Sequence, residues 1–290
     1  MQRAAAGWLN GLIGIVIFSA SLPATRIAVA DFPPLFLTSA RATIAAVIAA
    51  VLLLAVRPVR PARAEWVALS FVALGVVVGF PLLTALALRH VTSAHSIVFI
   101  GLLPLMTALF AVLRGGERPR PVFWIFACLG SAMVAGFALL QGGTRFNLGD
   151  LYMLAAIVVC GWGYAEGARL SRHLGGWQVI SWALMLSLPV MGALAAATFP
   201  ESLQDKSMAA WAGLAYVSVF SMFVGFVFWY RGLALGGIAA VGQLQLLQPL
   251  FGLALAALLL GEHVSSAMLF VTLAVAACVF FARRAGTSRR

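Results

Sequence analysis

The chain has 290 residues, of which 63% are hydrophobic and only 9% charged, with a net charge of +11. Together with a mean hydropathy of +1.05, this excludes a soluble globular protein and indicates an integral membrane protein. Its apolar runs approach twenty residues, the length at which a helix crosses about 30 Å of hydrocarbon, whereas barrel strands need only about ten and would alternate.

The first run, 8–28, follows a basic start and carries small residues near Ser19 to Ala24, as a cleaved signal peptide would. It continues past the usual signal core, so it reads as a span. Nine further runs lie at 34–56, 66–88, 93–113, 122–140, 148–170, 178–199, 211–230, 238–260 and 265–282. The sequence thus predicts an all-α integral membrane protein with ten transmembrane helices. Trp8, Trp66, Trp124, Trp177 and Trp211 sit at span ends and form an interfacial belt.

Several residues inside the runs could do more than fill space. Arg41 stands about 10 Å into the second span; it either snorkels or anchors a carboxylate, and the sequence favours a structural role. Phe80 and Thr84 share a face of the third span, where Gly75 and Gly79 have helix-packing spacing. Ser96 and Phe99 share a face of the fourth span, which has Pro104 near its middle. In the sixth span, Trp162 and Tyr164 lie among Gly161, Gly163 and Gly167, which permit close approach of a backbone or a solute. Glu166 can pair with Arg169 one turn on, and Asp150 reads as an N-cap. In the ninth span Gln245 and Gln248 share a face while Gln243 points elsewhere, and Pro249 stands near mid-span. Such glutamines either bind helix to helix or grip a polar solute.

The stretch from Ala94 to Glu117 recurs 145 residues later. Ala94, Leu102, Pro104, Leu105, Ala111, Leu113, Gly116 and Glu117 fall without a gap on Ala239, Leu247, Pro249, Leu250, Ala256, Leu258, Gly261 and Glu262. The sequence therefore divides into two five-helix repeats, 1–143 and 144–290. An odd number of spans per repeat inserts the halves in opposite senses, and inverted repeats enclose a central cavity near the midplane. The recurring Pro104 and Pro249 are either plain packing kinks or hinges that free the carbonyls of Ile100 and Gln245, and their recurrence favours hinges.

Basic residues give the orientation. With the N-terminus inside, fourteen fall on the inner side (Arg3, Arg57, Arg60, Arg63, Arg114, Arg118, Arg120, Arg169, Arg172, Arg231, Arg283, Arg284, Arg289 and Arg290) and four outside (Arg26, Arg89, Arg145 and Lys206). Both termini are expected in the cytoplasm. No aromatic-interleaved basic patch suggests nucleic acid. Cys128, Cys160 and Cys278 lack disulfide or metal spacing, and His90, His95, His173 and His263 are scattered, so no metal or other cofactor is expected. Nucleotide-binding and hydrolase motifs are absent, so the chain does not read as an enzyme.

Residues 87–94, running on to Pro104 and the Gly116-Glu117 pair, with their partners at 230–262 and the segment 33–41 containing Arg41, resemble the EamA branch of the drug/metabolite transporter superfamily. Within it the chain looks most like the YddG-type exporters of aromatic amino acids. The resemblance implies a ten-helix basket in the bacterial inner membrane, a monomer among lipids, exporting a small-molecule substrate. It implies cavity residues Phe80, Thr84, Phe99, Trp162, Phe226, Gln245 and Gln248, with Pro104 and Pro249 as hinges. Facilitative export of aromatic or other apolar amino acids is the function expected. The rival readings are a proton-coupled exporter of drugs or other metabolites, which the lack of an acid in the first span disfavours, and a membrane enzyme or lipid-handling scaffold.

Overall fold

A computed structural model describes residues 2–115, 121–142, 147–236 and 241–286. Gly116, Glu117 and Ala239 from the repeat lie outside the described residues, as does the side chain of Gln243. Every regular element among the described residues is helical.

Six helical stretches are long and apolar enough to cross a membrane: Ala5–Asp31, Pro34–Val56, Arg63–Ala87, Leu148–Leu174, Gly176–Ala197 and Met208–Leu235. Four shorter apolar helices, Ser93–Thr107, Trp124–Val134, Leu244–Leu260 and Ser266–Cys278, stand where the fourth, fifth, ninth and tenth runs were expected. Outward faces carry Val51, Leu54, Val67, Leu74, Leu258 and Phe270 well exposed, a surface suited to lipid rather than water.

Helix ends follow from local chemistry. The first stretch is α1 (Gln2–Ser19) and α2 (Ser21–Asp31), joined at Ala20, where ψ has opened to −4°. Helix α3 (Pro34–Val56) starts on a proline, whose missing N–H costs nothing in a first turn, and ends on left-handed Arg57. The third span is α4 (Arg63–Val72), a π-helical segment Ala73–Gly79, and α5 (Phe80–Ala87). The fourth begins at α6 (Ser93–Ile100), capped by Thr92, breaks at Gly101 and Leu102, and resumes as α7 (Leu103–Gly115). Helices α8 (Pro121–Gly142), α9 (Leu148–Leu174) and α10 (Gly176–Ala197) run unbroken. A second π-helical segment, Tyr216–Val224, joins α11 (Met208–Ala215) to α12 (Gly225–Gly236). A 3-10 segment, Gly242–Leu247, leads into α13 (Gln248–Leu260), and α14 (Ser266–Gly286) is the last described element.

Two expectations are corrected here. Pro104 and Pro249 do not kink continuous helices: each is the second residue of a fresh helix, α7 or α13, after an interruption. At the first interruption the Gly101 and Leu102 amides donate to the Val98 and Phe99 carbonyls at 3.2 and 2.9 Å, tight turns that stop the α-helix before the proline. The N-cap of α9 is Asn147 rather than Asp150, because Asn147 Oδ1 accepts from the Gly149 amide at 3.1 Å while Asp150 Oδ2 accepts the Asn147 amide at 3.0 Å.

Close packing fixes the bundle. Helix α1 lies along α12, α3 along α10, α8 along α14, and α9 along α4, α5, α7 and the first π segment. Gly75 and Gly163 meet backbone to backbone, a Cβ on Gly75 being only 3.1 Å from Gly163 Cα. The glycines of the sixth span therefore admit neighbouring helices, with Gly161 facing Met106 and Gly167 facing the Tyr230 hydroxyl.

Candidate functional site

The interruptions gather around one small cavity. Phe18, Ser21 and Leu22 come from the α1–α2 junction, Val76 and Phe80 from the first π segment and its exit, Ser221 and Met222 from the second, and Ile100 and Gln248 from the two helix breaks. A π turn or a break leaves backbone groups displaced from the regular ladder, and inside a bilayer such backbone is tolerated only against protein or a wet cavity.

The walls are largely aromatic. Phe18 and Phe226 lie 4.8 Å apart between ring centroids, and Tyr164 meets Phe226 edge-on at 6.0 Å. Phe80 adds a half-buried ring from α5. One side is polar: Arg41 Nη2 donates to Ser221 Oγ at 3.2 Å, and Ser221 shares a 2.7 Å hydrogen bond with Ser21. Arg41 retains 5% exposure, so it does not snorkel to the interface, and no carboxylate pairs with it among the described ion pairs. Its Nε has no hydrogen-bond partner, nor does Oε1 of Gln248 on the same cavity. A charged side chain at mid-membrane costs about 2.5–3.5 kcal/mol on insertion scales, so an unpaired one is a standing expense.

Of the residues expected here, Phe80, Phe226 and Gln248 line the cavity. Thr84 is buried with its hydroxyl donating back to the Phe80 and Pro81 carbonyls at 2.8 and 3.1 Å, and Phe99 is fully buried beside His95. Trp162 is stacked between Phe71 and Phe110, with centroids 4.5 and 5.6 Å away, and is absent from the lining. Gln245 is buried outside the lining, its Nε2 unpartnered. Glu166 binds Arg169 at 2.9 Å and takes no part in the cavity. The sequence reading missed Phe18 and Ser221, which look like ordinary span residues, and it undervalued Arg41.

One end of the bundle is tied across spans. Glu262 accepts from Ser93 and Ala94, His95 meets Asp150 at 2.6 Å, Asp31 accepts from Ser207, and Arg26 donates to the Leu88 carbonyl. At the opposite end, His173 meets Glu65 at 2.9 Å. Among the described residues, no group of His, Cys, Asp and Glu could hold a metal ion.

Residues 5–139 and 147–283 each match the model of the EamA-like transporter family. A protein of Bacillus subtilis (strain 168) named "Uncharacterized transporter YdeK" is 66% identical over 284 residues, covering 98% of this chain and 99% of its own length. "Uncharacterized transporter sll0355" of Synechocystis sp. is 23% identical over 274 residues, covering 86% of this chain and 81% of its own. A solved crystal structure with 18% identity superposes at a TM-score of 0.67 over 99% of this chain and 100% of its own, a likeness of fold. The double match and a 66% identical relative of full length both point to a multi-pass membrane transporter, and the chain belongs to the EamA-like transporter family.

Proposed function

We propose that this protein exports amino acids, aromatic or otherwise apolar, by facilitative alternating access across the bacterial inner membrane, as a monomer of the YddG type. The observation that carries this reading is the cavity itself, where the rings of Phe18, Phe80, Tyr164 and Phe226 face the polar groups of Arg41, Ser221 and Gln248. Rings suit an apolar side chain, and the polar wall suits a zwitterionic head. Gln245, Thr84, Phe99 and Trp162 then belong to the surrounding shell, from which a second state could bring them to the solute.

The proposal includes ten spans in two inverted five-helix repeats, with both termini cytoplasmic. Shifting by 145 residues carries the first π segment, 73–79, onto 218–224 within the second, and the break at 101–102 onto 246–247 at the end of the 3-10 segment. Neighbours follow the same rule: α1 against α12 corresponds to α9 against α5, while α3 with α10 and α8 with α14 are self-matching pairs. Exchange of conformations between such halves moves one site from side to side. The end tied by Glu262 and Asp150 is then the outer, closed one.

Counterflow of labelled phenylalanine and tryptophan in proteoliposomes tests this. Exchange that persists when the pH gradient is collapsed supports facilitative transport. Strict dependence on the gradient, lost in Glu166→Gln, would replace it with proton coupling, and absence of solute flux beside product formation or lipid movement would replace it with an enzyme or scaffold.

A further inference from the structure

Arg41 is the one cation among the lining residues, and no carboxylate shares that lining. Three observations set it apart from a structural arginine. It is 5% exposed on the third helix rather than reaching a lipid headgroup, its only described hydrogen bond is to the Ser221 hydroxyl at 3.2 Å, and its Nε has no partner. A guanidinium carries five donors in a planar fork matched to two carboxylate oxygens. Here most of that fork is unspent, in a cavity whose other walls are rings and aliphatic side chains apart from the neutral Ser21, Ser221 and Gln248.

We infer that Arg41 is the anion anchor of the cavity and that the carried solute must present a carboxylate, whereas an amino group is optional. One buried guanidinium balances one negative charge. A dianionic phosphate would leave a second charge among apolar walls, which is costly without a partner, so a monocarboxylate with an apolar body fits best. A lone amine would meet the Arg41 charge with no acid to offset it. Gln248 Oε1, unpartnered on the same cavity, can accept from an ammonium but brings no charge. Ser221, held by Ser21 at 2.7 Å, positions the guanidinium.

This inference rests on the amino-acid reading for its choice of probes, and the test separates the two. Purified protein is titrated with L-phenylalanine, 3-phenylpropanoate and phenethylamine, reading binding by the shift in thermal unfolding, and phenylalanine counterflow is measured in liposomes. The two carboxylates are expected to stabilise the wild type and phenethylamine to have no effect. Arg41→Met should weaken carboxylate binding at least tenfold while the unliganded protein melts at the same temperature or higher, since an unpaired buried charge is removed. Arg41→Lys, which keeps the charge without the fork, should fall between.

Phenethylamine binding as tightly as the carboxylates, or Arg41→Met binding them unchanged, would overturn the anchor, as would neither carboxylate binding at all. So would a large drop in melting temperature for both Arg41 variants without ligand, which would make the residue structural. Counterflow of phenylalanine that survives Arg41→Met retires the anchor and leaves the amino-acid reading standing. Arg41-dependent binding of 3-phenylpropanoate without any phenylalanine binding or flux retires the amino-acid reading and leaves the anchor.

Discussion

Glu262 caps the first turn of α6 through Ser93, its carboxylate accepting from the Ser93 hydroxyl at 2.7 Å and the Ser93 amide at 3.1 Å, with the Ala94 amide adding a bond at 2.7 Å. A helix N-terminus leaves amides unpaired and carries partial positive charge, so a carboxylate there is doubly suited. Here the cap comes from beyond the end of α13 rather than from the residue preceding the helix. Glu262→Ala should cost about 1–2 kcal/mol and speed hydrogen exchange at the Ala94 amide, while Glu262→Gln loses less. Unchanged exchange at Ala94 would mean that the cap does not hold this end shut.

Asp150 serves two masters, accepting the Asn147 amide with one oxygen and meeting His95 at 2.6 Å with the other. Both side chains lie in the interior, so removing the acceptor strands a polar ring. Asp150→Ala should lower stability by about 3 kcal/mol, read as a fall in detergent melting temperature, and Asp150→Asn should fall between it and the wild type.

Gly167 touches Tyr230 so closely that any Cβ would strike the phenol, whose oxygen has no hydrogen-bond partner among those described. Gly167→Ala should therefore destabilise by about 1–3 kcal/mol. Tyr230→Phe alone should be nearly neutral, and in the double variant it should restore part of the loss. Strict additivity would show that the two residues do not interact.

Trp162 joins three helical layers by stacking between Phe71 and Phe110. Trp162→Ala should cost about 3 kcal/mol and reduce folded yield, whereas flux per folded molecule should fall less than in Phe226→Ala, which removes a cavity wall. A normal melting temperature with abolished flux would place Trp162 on the substrate instead.

Pro249, second in α13, stops that helix from extending backwards through the 3-10 segment. Pro249→Ala should slow turnover several-fold with little change in ligand affinity, because a longer helix resists the proposed rearrangement. Equal losses in binding and turnover would favour a packing role.

The all-helical membrane architecture was legible because hydrocarbon thickness imposes run length. The polar core was less so. Arg41 reads in sequence as a structural residue because linear depth says nothing of which helices surround it, and only its contact with Ser221 and the lack of a carboxylate partner among the described ion pairs reveal its setting. Pro104 and Pro249 correctly marked irregular backbone, but periodicity cannot tell a kink from a break followed by a new helix. Trp162 drew attention through its glycine neighbours, yet those glycines admit Met106, Val76 and Tyr230 rather than solute. Thr84, with its hydroxyl returned to its own helix, was indistinguishable in sequence from one facing a cavity.

The ties made by Glu262, Asp31 and His95 also bear on biogenesis. Glu262 reaches back 169 residues to Ser93, Asp31 forward 176 to Ser207, and His95 forward 55 to Asp150. During synthesis the opening turn of α6 must therefore wait, already delivered to the bilayer, for a carboxylate made 169 residues later. Until Asp150 and Glu262 have been made, His95 and Ser93 at this rim lack the acceptors that later tie them down.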